Sequence, residues 1–376
     1  MGWSNALRRL TGRPARWQPL PTADYYLLGA IGDLIAENGI ASARHPIVQV
    51  GPNTWNVADR MVIVRYATAQ ELAWIEARRW RSIHYIIDDL LPAAHDSPEL
   101  PDDYRAKLAR FSATLLPRIL ALRPTIVAPS AAILALFPGL EHRRLDPCCL
   151  ALSDRVIGDL AISDSARLPP PPSWLGSSGL GSSGLGPIEI VFLGTRSHAG
   201  TLPLLAAIAA RLELACPQAR LHVFFGRHLP QALARRAGIV NHAPIAWPQF
   251  QAFCRQTQFH IGLAPIQDTA FAKARSITKI MDHAAVGAIG IYSNRAPFSS
   301  VITHGQDGLL VGDGAEAWTA AVLELAASPQ RADSMAAGGA RLAADRGDRR
   351  KMRAFWLQEL GLNGLASGDG GHRQAY

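Results

Sequence analysis

The chain has 376 residues, which suits two domains better than one. With 48% hydrophobic and 18% charged residues it supplies a large core, and this excludes wholesale disorder. A formal net charge of +8 favours anionic partners, but Lys and Arg are scattered and no nucleic-acid motif occurs, so nucleic acid is not expected as a partner.

The first stretch, "MGWSNALRRLTGRPARW", carries four arginines, two tryptophans and no acid. It suits contact with the inner face of an anionic cytoplasmic membrane, or else it is a loose basic start. No apolar run is long enough to span a bilayer, and no secretory signal is visible. Cys148, Cys149, Cys216 and Cys254 form no CxxC pair and have no zinc-ligand spacing. A cytoplasmic protein without a metal cage or disulfide framework is therefore expected.

The pattern divides the chain into a basic segment with a first helix (1–40), an α/β domain (41–168), a linker (169–187), a second α/β domain (188–361) and a polar tail (362–376). In the first domain "PIVQVG", "RMVIVRYA", "SIHYIIDDLL" and "PTIVAPS" read as strands. Between them "TAQELAWIEARRW" reads as a helix with a Thr N-cap, and "PDDYRAKLARFSATLLPRILAL" as one broken at Pro117. The linker "PPPPSWLGSSGLGSSGLGP" combines stiff proline with flexible Gly and Ser. In the second domain strands "IEIVFLG", "ARLHVFFG", "IVNHAPIA", "FHIGLAPI", "AIGIYS" and "DGLLVG" alternate with helices. Such alternation predicts two doubly wound, Rossmann-like α/β domains facing a central cleft, with ligands beyond the carboxyl ends of the strands.

That rule selects three stretches. "GTRSHAG" follows a strand and precedes a helix, so the Gly194 and Thr195 backbone can approach a phosphate; the alternative is a tight turn with His198 merely solvated. "FAKARSITKIMDHAAVGAIGIYSN" reads as a helix with Arg275, Lys279 and Asp282 on nearly one face and Ser276 beside them. Arg275 and Lys279 can reach a diphosphate, and Asp282 can accept from ribose hydroxyls; the alternative is a solvated face with a Lys279–Asp282 pair. Asp88 and Asp89 end a strand of the first domain, with His95 just beyond. One of these can orient or deprotonate an acceptor hydroxyl, while the plainer reading pairs the aspartates with arginines. No DxD metal motif is present.

The stretch "HIGLAPIQDTAFAKARSITKIMDHAAVGAIGIYSN", then "VITHGQDGLLV", resembles the donor-binding domain of the glycosyltransferase group 1 family, which has the GT-B fold. "VFLGTRSHAGTL" is similar to that family's glycine loop. The resemblance covers 188–325 and implies a transferase that takes a nucleotide-diphosphate sugar as co-substrate, with no cofactor and no metal. It gives the diphosphate to Arg275 and Lys279, the ribose to Asp282, and the phosphate or sugar to Gly194 and Thr195. The acceptor it implies is a glycan, a lipid-linked saccharide or a small metabolite. Ala274 departs from the family's first acidic position, and Arg275 replaces a more usual lysine. A GT-B-type nucleotide-sugar epimerase and a degenerate, non-catalytic binding or scaffold protein are the alternatives.

Overall fold

The computed structural model describes residues 17–150 and 187–365. The basic start, nearly all of the linker and most of the tail lie outside the described residues.

The first sheet runs β1 (Ile47–Gly51), β2 (Thr54–Val57), β3 (Arg60–Val64), β4 (Ser82–Ile86), β5 (Thr125–Ala128) and β6 (His142–Arg144), in that spatial order. The first three strands form an antiparallel meander, and β3 to β6 are parallel. Sequence reading does not identify β2 or β6. The first is only four residues long, and the second, "HRR", has no apolar alternation. An irregular helical stretch, α1, runs from Pro21–Ala23 through a π-type segment, Asp24–Leu28, to Gly29–Ile31 and a 3-10 turn, Gly32–Leu34. Helix α2 (Ala69–Glu76) opens on a capping box: Thr68 Oγ1 accepts from Glu71 N at 3.1 Å, and Glu71 accepts from Thr68 N at 2.6 Å. The next helix does break as expected, into α3 (Asp102–Thr114) and α4 (Leu116–Ala121), with Pro117 in the first turn of α4. A short helix, α5 (Ala131–Leu134), follows β5.

The second sheet contains β7 (Ile188–Phe192), β8 (Ala219–Val223), β9 (Ile239–Asn241), β10 (Ile261–Ala264), β11 (Ile289–Ser293) and β12 (Leu309–Val311). All are parallel, in the order β12-β11-β10-β7-β8-β9. This is the doubly wound order, and strand direction of growth reverses between β7 and β10. Residues of β10 and β11 are buried throughout, as strands covered on both faces must be. The helices are α6 (Leu202–Ala215), α7 (Gln231–Ala234), α8 (Trp247–Gln256), α9 (Ala270–Lys273), α10 (Thr278–Ala285), α11 (Ala315–Ala327), α12 (Pro329–Arg346) and α13 (Arg349–Glu359).

Helix α13 does not pack on the second sheet, although its residues fall in the 188–361 range. Met352, Trp356, Leu357 and Leu360 enter the first domain's core beside Tyr26, Ile31 and Trp55, and α1 enters the same core. The Trp356 indole N–H donates to the Tyr26 carbonyl at 2.6 Å. Glu359 meets His84 at 2.8 Å and Arg143 at 2.9 Å. The second sheet's core is closed by α6, α11 and α12, so the apolar face of α13 finds its cover on the first domain. The return crossing between α12 and α13 touches the described end of the first domain: Cys149 N donates to Gly347 O at 3.0 Å, and Arg346 pairs with Asp146 at 2.9 Å. A Cβ on Gly347 would stand 2.5 Å from Cys149 N, so only glycine permits this approach.

Candidate active site

The reversal between β7 and β10 brings together two loops, and both carry residues expected from sequence. After β7, Gly194 turns the chain beneath the Phe192 ring, which a Cβ would meet at 2.3 Å. Thr195 is exposed and accepts from His198 N at 2.8 Å. His198 lies in a 3-10 segment, Arg196–Thr201, edge-on to Phe192. Burial, then the Arg275 and Lys279 cations, hold its imidazole well below the ordinary histidine range, so the ring is neutral.

After β10, the expected single helix is two. Helix α9 ends at Lys273, and α10 begins at Thr278. Arg275 and Ser276 therefore lie in a break, not on one face with Lys279 and Asp282. The reason is tertiary. The Ala274 carbonyl, which a continuous helix would offer to Thr278 N, accepts instead from Ser130 Oγ of the first domain at 2.8 Å. Thr278 N, at the first position of the new helix, donates to Ser276 Oγ at 3.3 Å. Phe271 and Ala274 belong to the first domain's core, and Ala274 is fully buried. No side chain larger than alanine fits there without displacing that core.

Lys279 and Asp282 pair at 2.8 Å, but not as a solvated face. Asp282 is 4% exposed, and Lys279 Nζ also donates to the Leu193 carbonyl at 2.5 Å. The other Asp282 oxygen accepts from the Tyr25 hydroxyl. Burial, then the Asp282 charge, raise the Tyr25 pKa well above its ordinary value, so the phenol stays protonated.

Across the domain boundary, Asp88 and Asp89 stand at the carboxyl end of β4. Both meet Arg65, at 3.3 Å and 2.9 Å. Asp88 also accepts from Thr22 at 2.9 Å, and burial raises its carboxyl pKa against the opposing pull of Arg65. Arg275 reaches Asp89 at 4.0 Å. Arg65 holds a left-handed backbone, φ 54°, at the end of β3. Sequence reasoning missed it; a lone arginine after a strand carries no pattern, and only the fold places it under both aspartates. His95 lies in a 3-10 segment, Leu91–Asp96, following that loop. Further bonds close the boundary: Thr269 Oγ1 donates to Glu99 at 2.6 Å, and Arg196 forks onto Asp103 at 2.8 and 2.9 Å. The pocket left between His198, Gly200, Gln267, Glu99 and Arg275 has about 260 Å³ of open space.

No family model matches the chain, and no curated protein matches it. Solved structures do. The chain is similar to sucrose-phosphate synthase from Thermosynechococcus elongatus, with 12% identity over 79% of this chain and 71% of that chain and a TM-score of 0.51. It is also similar to Anabaena HepE in complex with UDP-glucose, with 16% identity, coverage of 80% and 78%, and a TM-score of 0.49. With its two mostly parallel sheets, the architecture is a two-domain, Rossmann-like GT-B fold like that of group 1 glycosyltransferases. Among the described residues, no helix is long and apolar enough to cross a membrane.

Proposed function

We propose that the chain is a glycosyltransferase moving a sugar from a nucleotide-diphosphate sugar to a hydroxyl of a glycan, lipid-linked or small-molecule acceptor. One observation carries the reading. The glycine loop after β7 and the α9–α10 break after β10 converge at the switch point of the second sheet, bringing His198, Arg275 and Lys279 to the boundary that Asp89 faces.

In this reading Arg275 and Lys279 hold the diphosphate, and Asp282 holds the ribose. The bond from the sugar's anomeric carbon to the diphosphate breaks, and its electron pair goes to a leaving group stabilised by these two cations and by backbone N–H groups. The acceptor oxygen bonds to the same carbon, and its proton leaves toward the Asp88–Asp89 pair. His198, neutral, is able to donate one hydrogen bond to the sugar or to a phosphate oxygen. Because the cations supply the positive charge, activity is expected to survive a chelator. The Thr269–Glu99 and Arg196–Asp103 bonds close the boundary beside Arg275, so in this reading the domains part to admit the sugar donor and close again to exclude water.

The test is a thermal-shift screen against UDP, GDP, ADP, dTDP and their sugar conjugates, with Arg275→Ala and Lys279→Ala alongside. One nucleotide should raise the melting temperature. Each substitution removes charge-assisted bonds worth roughly 1.5–3 kcal/mol, and so should weaken binding at least about tenfold. Binding that both variants retain would refute the diphosphate assignment. The fully buried Ala274 favours a second reading, a nucleotide-sugar-binding protein without transferase activity, since no carboxylate can stand there. Tight binding with no product from any acceptor would select it.

A further inference from the structure

Two of the groups that this reading gives to the sugar donor, Asp282 and Arg275, are already met by the first domain. Asp282 accepts from Tyr25 through one oxygen and from Lys279 through the other. Arg275 faces Asp89, which Arg65 holds in place. A second bond clamps the same seam: the Trp247 indole N–H, on α8, donates to Asp24. The Tyr25 and Trp247 rings lie 5.2 Å apart, tilted by 52°. Beside them opens a solvent-connected pocket walled by Tyr25, Trp247, Phe250, Cys254 and Arg255, with Asp282 exposing its edge there. Aromatic walls next to a carboxylate suit a nucleoside, a flat ring joined to a diol. The diol can reach the carboxylate only if the Tyr25 hydroxyl leaves it.

We infer that Asp24 and Tyr25 form an autoinhibitory latch, in which the first domain occupies the ribose-binding carboxylate of the second and must be displaced by the nucleoside of the sugar donor. The inference rests on the proposed nucleotide-sugar reading. It makes binding and domain parting a single step. The apparent affinity is then the intrinsic one reduced by the fraction of molecules with the latch open. The latch sits on α1, whose irregular π-type turn carries both residues.

The test uses the full chain and Tyr25→Phe, which keeps the ring and deletes the hydroxyl. Calorimetric titration with UDP, GDP, ADP and dTDP should show the nucleotide that binds wild type binding the variant roughly tenfold tighter, as expected for losing one charge-assisted competitor. Amide hydrogen exchange across 21–34 and 247–256 should speed up in the unliganded variant, and in wild type once the nucleotide is added. Asp24→Ala, which unclamps Trp247, should move both readouts the same way and serves if Tyr25→Phe does not fold. Affinities within about twofold of wild type, or a nucleotide that binds wild type without loosening 21–34, would overturn the latch and leave the nucleotide-sugar reading standing. No nucleotide binding to wild type or either variant would overturn that reading, and the latch with it.

Discussion

Replacing Trp356 by alanine should unfasten the first domain although the residue is reached only through the second. The side chain is fully buried, and its N–H donates to the Tyr26 carbonyl at 2.6 Å. Its ring stands edge-on to His84 at 5.8 Å and to Phe355 at 5.0 Å. Removing a buried Trp costs about 3–5 kcal/mol in transfer and cavity terms. The stranded Tyr26 carbonyl adds about 1 kcal/mol. The sum, roughly 4–6 kcal/mol, is a large part of the 5–15 kcal/mol typical of a whole domain. Trp356→Phe keeps most of the apolar surface and should cost about 1–2 kcal/mol, chiefly the hydrogen bond and the lost ring volume. Because two-domain chains need not unfold in one step, the assay is amide hydrogen exchange along the chain, supported by urea titration. In Trp356→Ala, protection should fall across 21–34 and in β3 and β4, while β7 and β10 keep theirs. A loss below about 1 kcal/mol, or protection lost in the second sheet first, would refute the placement of α13 in the first core.

Two further outcomes follow from the second domain's interior. His283 is 1% exposed, its ring over Gly262 and its Nδ1 3.3 Å from the Tyr292 hydroxyl. Burial, then the Lys279 charge, push its pKa down to about 3. A lowered folded-state value means stability that is present above the unfolded value near 6.5 and lost as pH falls toward 3, since the unfolded chain takes the proton first. Relative to pH 8, about 2 kcal/mol should be lost at pH 5, and His283→Leu should flatten that part of the urea-midpoint profile; an unchanged slope would refute it. Gly262→Ala would bring a Cβ to 2.5 Å from the same ring inside a fully buried strand. It should cost roughly 1–3 kcal/mol in the urea midpoint, and a neutral result would show that the ring can move aside.

Much of the fold was legible in the sequence because parallel strands buried on both faces leave continuous apolar runs, as "IGLA" and "IGIYS" do. The loops beyond those strands were legible by the same rule, which is why Gly194, His198, Arg275 and Lys279 were singled out together. Local pattern failed where distant groups decide. The break between α9 and α10 depends on a serine 144 positions earlier in the chain. The burial of Asp282 depends on Tyr25, 257 positions away. Arg65 has no periodic signature, yet it organises both aspartates. Helix α13 shows its apolar face plainly, but nothing in that face says which sheet it will cover. Amphipathicity states that a partner exists and is silent on its identity.

The return crossing of the chain has a mechanical consequence. Between α12 and α13 the return crossing is pinned to the described end of the first domain: Gly347 O accepts from Cys149 N, and Arg346 pairs with Asp146. If the domains part as the proposed function requires, they are expected to pivot near this contact.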